Sequence, residues 1–166
     1  LPPNHGSVVV TLEGERWVVD ASILHGEPLA MRDALPSAID HPAWGVAAHW
    51  TDGQFRIRWR NFLTGGEPLD CGFNHLGASA EEFARRHEMT RDWSPFNFGV
   101  CLNLLRGERR LGAAMGKLAS IDERGALSER PVDLAERRRF LVEEAGMSEE
   151  LVARLPDDLP FQPPPR

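Results

Sequence analysis

Ser7-Val-Val-Val-Thr-Leu12, then Glu13-Gly14, then Glu15-Arg-Trp-Val-Val-Asp20 is the stretch from which the fold is read. Both arms are rich in Val, the second adds Trp17, and residues of this kind favour the extended, half-buried surface of a sheet. An acidic-Gly pair between two such arms predicts a β-hairpin over 7–12 and 15–20. Antiparallel strands joined by a tight turn bring their outer ends together. His5, just ahead of the first arm, and Asp20, at the close of the second, are therefore expected to be neighbours in space.

Moving outward, a second hairpin is expected over Trp44–Trp50 and Gln54–Arg60, with Thr51-Asp52-Gly53 as its turn. Its second arm alternates, with Phe55, Ile57 and Trp59 on one face and Gln54, Arg56, Arg58 and Arg60 on the other. The link from His25 to Pro42 is punctuated by Pro28, Pro36 and Pro42, and Gly65-Gly66 and Gly72 mark further turns. Ser79-Ala80-Glu81-Glu82 is a capping box opening a helix to about Glu88, with Ala80, Phe83, Ala84 and His87 on one face. Strands are expected at Phe98–Leu105 and Lys117–Asp122, with turns at Gly107-Glu108 and Arg124-Gly125. Asp133 to Glu136 forms a second capping box, for a helix ending near Gly146 that buries Leu134, Phe140 and Leu141, and Ser148 caps a short last helix. Strands, a helix, more strands and then helices give an α+β fold with antiparallel sheet, not alternating βαβ units. Leu155–Arg166 holds five prolines and reads as an extended tail.

The 166 residues carry a formal net charge of -6. That balance argues against a general nucleic-acid-binding surface. Two cysteines, Cys71 and Cys101, make no disulfide framework, and a cytoplasmic location with no membrane association is expected. Leu1 is not a methionine, and a strand-like segment begins within a few residues of it. A truncated or processed chain is the expectation.

His5 and Asp20 are the candidate catalytic pair. An Asp bonded to one imidazole nitrogen fixes the tautomer and leaves the other nitrogen to face a nucleophile, which is the base-and-orienter half of a triad. A surface His–Asp pair is the plainer alternative. Cys101, within Val100-Cys101-Leu102, reads as a small core residue, and Cys71 as a packing or loop residue. The remaining histidines, at 25, 41, 49, 75 and 87, show no metal-ligand spacing.

Leu1-Pro-Pro-Asn-His5, Val8-Val9-Val10, Leu12-Glu13-Gly14, Trp17-Val18-Val19-Asp20-Ala21 and Pro28-Leu29 together resemble the arylamine N-acetyltransferase family. There a His opens a hydrophobic hairpin, an Asp closes it at this spacing, and a Pro-Leu pair follows. Thr90 with Ser94-Pro95-Phe96 and a following strand resembles the family's Thr…Ser-x-Phe segment. Lys117-Leu118, the Gly125 turn and the 134–146 helix resemble its C-terminal region.

The resemblance implies an antiparallel β-barrel over 1–96 carrying His5 and Asp20, an α/β lid over 97–155 and the proline-rich tail over 156–166. It also implies a ping-pong reaction. A cysteine lying upstream of this chain takes acetyl from acetyl-CoA and passes it to an arylamine, hydrazine or arylhydroxylamine. Acetyl-CoA is then a substrate and no bound cofactor is expected. Ile23, Thr90, Ser94 and Phe96 are the residues that would contact the amine or CoA. Basic runs at Arg85, Arg86 and Arg91, and at Arg106, Arg109 and Arg110, read as solvated faces, with CoA phosphates as the alternative. Ser22-Ile23-Leu24 stand where the family usually has Gly-Phe-Gly, and Arg91-Asp92 where it often has His-Pro. These departures leave open a non-catalytic binding module of the same fold, or a related amide synthase. Cys71 is the remaining nucleophile candidate if the chain is self-sufficient.

Overall fold

The computed structural model describes residues 5–23, 26–33, 35–62 and 65–159. Leu1-Pro-Pro-Asn4, Leu24, His25 and the end of the proline-rich tail, 160–166, lie outside the described residues. The chain gathers into two compact units, 1–90 and 91–166. Every strand pairing described is antiparallel.

The first unit opens with β1 (Val8–Leu12) and β2 (Glu15–Val19). Glu13 and Gly14 turn between them with φ of 52° and 81°. Two successive positive φ values give the turn whose twist matches the strands, and glycine takes the second at no steric cost. The register runs from Leu12↔Glu15 out to Val8↔Val19. β3 (Leu29–Ala30) adds to β2, and a second sheet follows in the order β4 (Ser37–Ile39), β5 (Val46–Thr51), β6 (Gln54–Arg60) and β7 (Pro68–Gly72). Val18, Leu29, Ile39, Val46, Phe55 and Ile57 from these strands meet in one core, with Ile23 and Met31. These ladders form two separate sheets; the described strands do not close a barrel.

Three strands stand where turns or an irregular link were expected. β3 and β4 form in the proline-punctuated link because Leu29 and Ile39, 1% and 7% exposed, are captured by the core. β7 forms because Cys71 pairs with Ile57 on an existing sheet edge. Ser79 Oγ accepts from Glu82 N at 3.1 Å and starts α1 (Ala80–Arg91). This helix buries none of its residues, so the expected apolar face is not a core face.

The second unit contains a short 3-10 turn at Pro95–Asn97 and a sheet of β8 (Cys101–Arg106), β9 (Arg109–Ala114), β10 (Lys117–Ile121) and β11 (Leu127–Pro131), in the order β11-β10-β9-β8. β9 and β11 were not expected. Arg-Arg-Leu-Gly-Ala-Ala has little intrinsic strand preference, but it is paired on both sides. β11 is polar and ends on Pro131, as an edge strand permits. α2 (Leu134–Glu143) and α3 (Glu149–Arg154) are capped by Asp133 and Ser148, which accept from Glu136 N and Leu151 N. α2 buries Leu141 together with Arg137, whereas Leu134 is 37% exposed. No helix among the described residues is long and apolar enough to cross a membrane.

The buried Arg137 explains a fixed point in the segment expected to be an extended tail. Asp158 Oδ1 pairs with Arg137 Nη1 and accepts from Val100 N at 3.3 Å, and Oδ2 accepts from Gly116 N at 3.0 Å. Arg137 Nη2 also donates to the carbonyl of Pro156 at 3.1 Å. Removing one partner of a buried pair strands the other charge, so Asp158→Ala should cost about 3–5 kcal/mol. Urea unfolding monitored by circular dichroism measures that cost, and a change within 0.5 kcal/mol or so, the range of an ordinary surface substitution, would rule the clasp out.

Candidate active site

The β1–β2 register carries one step past Val8↔Val19 to place Ser7 opposite Asp20. His5 and Ser7, just ahead of β1, both reach the same carboxylate. His5 Nε2 lies 2.5 Å from Asp20 Oδ2, and Ser7 Oγ donates to that same oxygen at 2.5 Å. The other oxygen, Oδ1, accepts from Ser22 N at 2.9 Å, Ser22 Oγ at 2.7 Å and Ile23 N at 3.2 Å. An aspartate whose carboxylate receives the backbone two and three residues on is a local turn device, and here it folds the chain back just after β2. Five donors thus meet one carboxylate whose side chain is 3% exposed. His5 stays 38% exposed, and its Nδ1 has no hydrogen-bond partner among the described residues.

This arrangement shifts the two groups in opposite directions. Burial of Asp20 opposes its ionisation, but the bonds from His5, Ser7 and Ser22 outweigh it and hold the carboxyl well below the usual range. The bond to that carboxylate raises the His5 pKa above its ordinary value, against partial burial. A ring that donates its Nε2–H in a hydrogen bond to Asp20 presents Nδ1 as the nitrogen available for a second partner.

Asp20 also favours the protonated form of Cys71. The half-buried Cys71 thiol is pushed up by burial and then by the Asp20 charge. It sits on β7 and packs against the core. Burial and then Asp158 do the same to Cys101 on β8. Neither thiol is activated.

The remaining site candidates have local duties. Ile23 is 3% exposed and belongs to the core; its backbone N–H, not its side chain, reaches Asp20. Thr90 Oγ1 donates to His87 O at 3.0 Å near the end of α1. In the second unit, Ser94 Oγ accepts from Phe96 N at 3.4 Å, and the Phe96 side chain is exposed. Ser7 and Ser22 were missed as site residues. The Asp-x-Ser spacing at 20–22 was a local signal for the second, and the register for the first. No group of three His, Cys, Asp or Glu among the described residues is placed to hold a metal ion.

The two shifts define a pH window. The raised His5 pKa contributes stability that is complete below about pH 6.5 and lost as pH rises through the folded-state value. The lowered Asp20 pKa contributes stability that is complete above about pH 4 and lost as pH falls. The stability difference between the chain and its His5→Gln variant should therefore be greatest between these limits and shrink on either side. Urea unfolding across pH 3–9 measures it; a flat difference would mean the two groups do not titrate as a pair.

No family model matches the sequence, and no curated protein matches it. Solved structures do. An arylamine N-acetyltransferase from Mycobacterium abscessus overlays with a TM-score of 0.70 at 17% identity, covering 92% of this chain and 57% of that one. The arylamine N-acetyltransferase from Salmonella typhimurium gives 0.63 at 16% identity, covering 92% and 60%. The chain therefore spans less than two thirds of either structure, and over that span its fold is like that of these two arylamine N-acetyltransferases.

Proposed function

We propose that this chain supplies the histidine and aspartate of a Cys-His-Asp acyl-transfer triad, and that the parent protein is an arylamine N-acetyltransferase whose cysteine lies upstream of Leu1. The observation that carries this is the buried, five-donor Asp20 holding His5 by Nε2, with Nδ1 left unpartnered among the described residues. The likeness in fold to two arylamine N-acetyltransferases supports the choice of chemistry. On this reading the parent adds the cysteine-bearing part upstream, and a cytoplasmic enzyme is the corresponding expectation.

The chemistry follows from the charge states. An imidazolium beside a thiol stabilises the thiolate, and Asp20 stabilises the imidazolium. The thiolate sulfur attacks the acetyl carbonyl, the carbon–sulfur bond to CoA breaks, and His5 returns its proton to the leaving sulfur. An arylamine, hydrazine or arylhydroxylamine nitrogen then attacks the cysteinyl thioester. The enzyme sulfur leaves as thiolate, and His5 takes the proton that the nitrogen loses. Ser22 and Ile23 act here through Asp20; Thr90, Ser94 and Phe96 are carried as CoA or amine contacts on resemblance alone.

A second reading, a non-catalytic module of the same fold, is favoured by one observation: both thiols of the chain are held protonated by burial and by nearby carboxylates. The two readings separate in the parent. Its cysteine should alkylate with iodoacetamide as a thiolate at neutral pH, and acetyl transfer to an arylamine panel should fall by orders of magnitude in Asp20→Asn. The isolated 166-residue chain should transfer no acetyl group. A parent thiol titrating near an ordinary 8.5 without transfer would select the binding module. Transfer by the isolated chain that is abolished by Cys71→Ala would make Cys71 the nucleophile instead.

A further inference from the structure

Helix α1 buries none of its residues, yet one of its side chains meets the segment that carries His5. A Cβ at Gly6 would lie 2.2 Å from Cε2 and 3.0 Å from Cζ of Phe83, so the ring rests directly on the backbone between His5 and Ser7. Only a residue without a side chain admits the ring so closely. His5 and Ser7 converge on the same oxygen of Asp20. The residue between them is Gly6, so the ring packs on the backbone that joins the two donors. Core burial is a poor account of Phe83, because the residue is 58% exposed. The turn of helix that carries it is held at Glu82, whose carboxylate takes Arg86 at 3.0 Å and His75 Nε2 at 3.1 Å.

We propose that Phe83 is a positioning residue for the His5–Asp20 pair: its ring, seated on the Gly6 backbone, fixes the spacing at which His5 and Ser7 meet one carboxylate oxygen. The consequence for acyl transfer rests on the triad reading above, but the positioning itself does not. Losing the ring frees the His5 backbone and lengthens its contact with Asp20, while the interior packing of the first unit is left in place.

The test is an NMR titration of the 166-residue chain, with the His5 ring signals assigned by their loss in His5→Gln. Phe83→Ala should lower the His5 pKa toward its ordinary value of about 6.5, and Phe83→Leu, which keeps an apolar side chain there, should preserve most of the elevation. Gly6→Ala should lower it too, since the methyl group and the ring compete for one space. Gly6→Ala combined with Phe83→Ala should lower it no further than Phe83→Ala alone. An unchanged His5 titration in Phe83→Ala, with Asp20→Asn lowering it, would overturn the positioning role and leave the His–Asp pair standing. No change in Asp20→Asn would overturn both. Should Phe83→Ala fail to fold, the folded Gly6→Ala variant decides, and a wild-type titration there overturns the proposal.

Discussion

A carboxylate taken out of water has to be met by donors or give up its charge. Asp20 is met from two directions. Ser7 and His5 reach it from the chain entering β1, and Ser22 and Ile23 reach it from the turn leaving β2. Once that carboxylate is satisfied, the open end of the hairpin is closed, the chain after β2 is folded back, and the imidazole has an orientation. A slip of β1 by one residue against β2 would turn Ser7 and Val9 away from the face of the fully buried Val18. Core packing and site geometry are therefore selected by one register.

The same negative charge favours the protonated form of both His5 and Cys71, with opposite chemical consequences. It stabilises the protonated ring of His5, which becomes a better cation, and it destabilises the thiolate of Cys71. An approaching thiolate would be disfavoured on the carboxylate side of this pair and favoured on the imidazole side. Nδ1 is the nitrogen that the geometry leaves for such an approach.

The second unit uses the same physics for a different end. Arg137 is 5% exposed, and Asp158 answers it while also receiving two backbone N–H groups. That carboxylate ties the chain beyond α3 to the lead-in of β8 and to the β9–β10 turn. A Cβ at Gly99 would lie 2.7 Å from Asp158 Oδ1, which is why the approach is open there. Asp20 orients a titratable group, whereas Asp158 immobilises backbone.

The local elements were legible in the sequence wherever their signals are local. Both first-unit hairpins, the Ser79, Asp133 and Ser148 caps and the pairing of His5 with Asp20 depend on residues within a turn or on the two arms of one hairpin. Ser22 was read as a departure from a glycine pattern, and only its bonds to Asp20 revealed it as a donor that the carboxylate needs. Strands β3, β4, β7, β9 and β11 were not legible, because their sequences are short, polar or broken by proline and glycine. Their extended form comes from partners distant in the chain or from burial in a core that forms elsewhere. Sequence alone determined where His5 and Asp20 would meet, since hairpin register is dictated by alternation and turn length. Only the tertiary structure decided which nitrogen Asp20 holds, that Arg137 lies buried, and that an otherwise exposed helix seats Phe83 on Gly6, because each depends on contacts that no local pattern encodes.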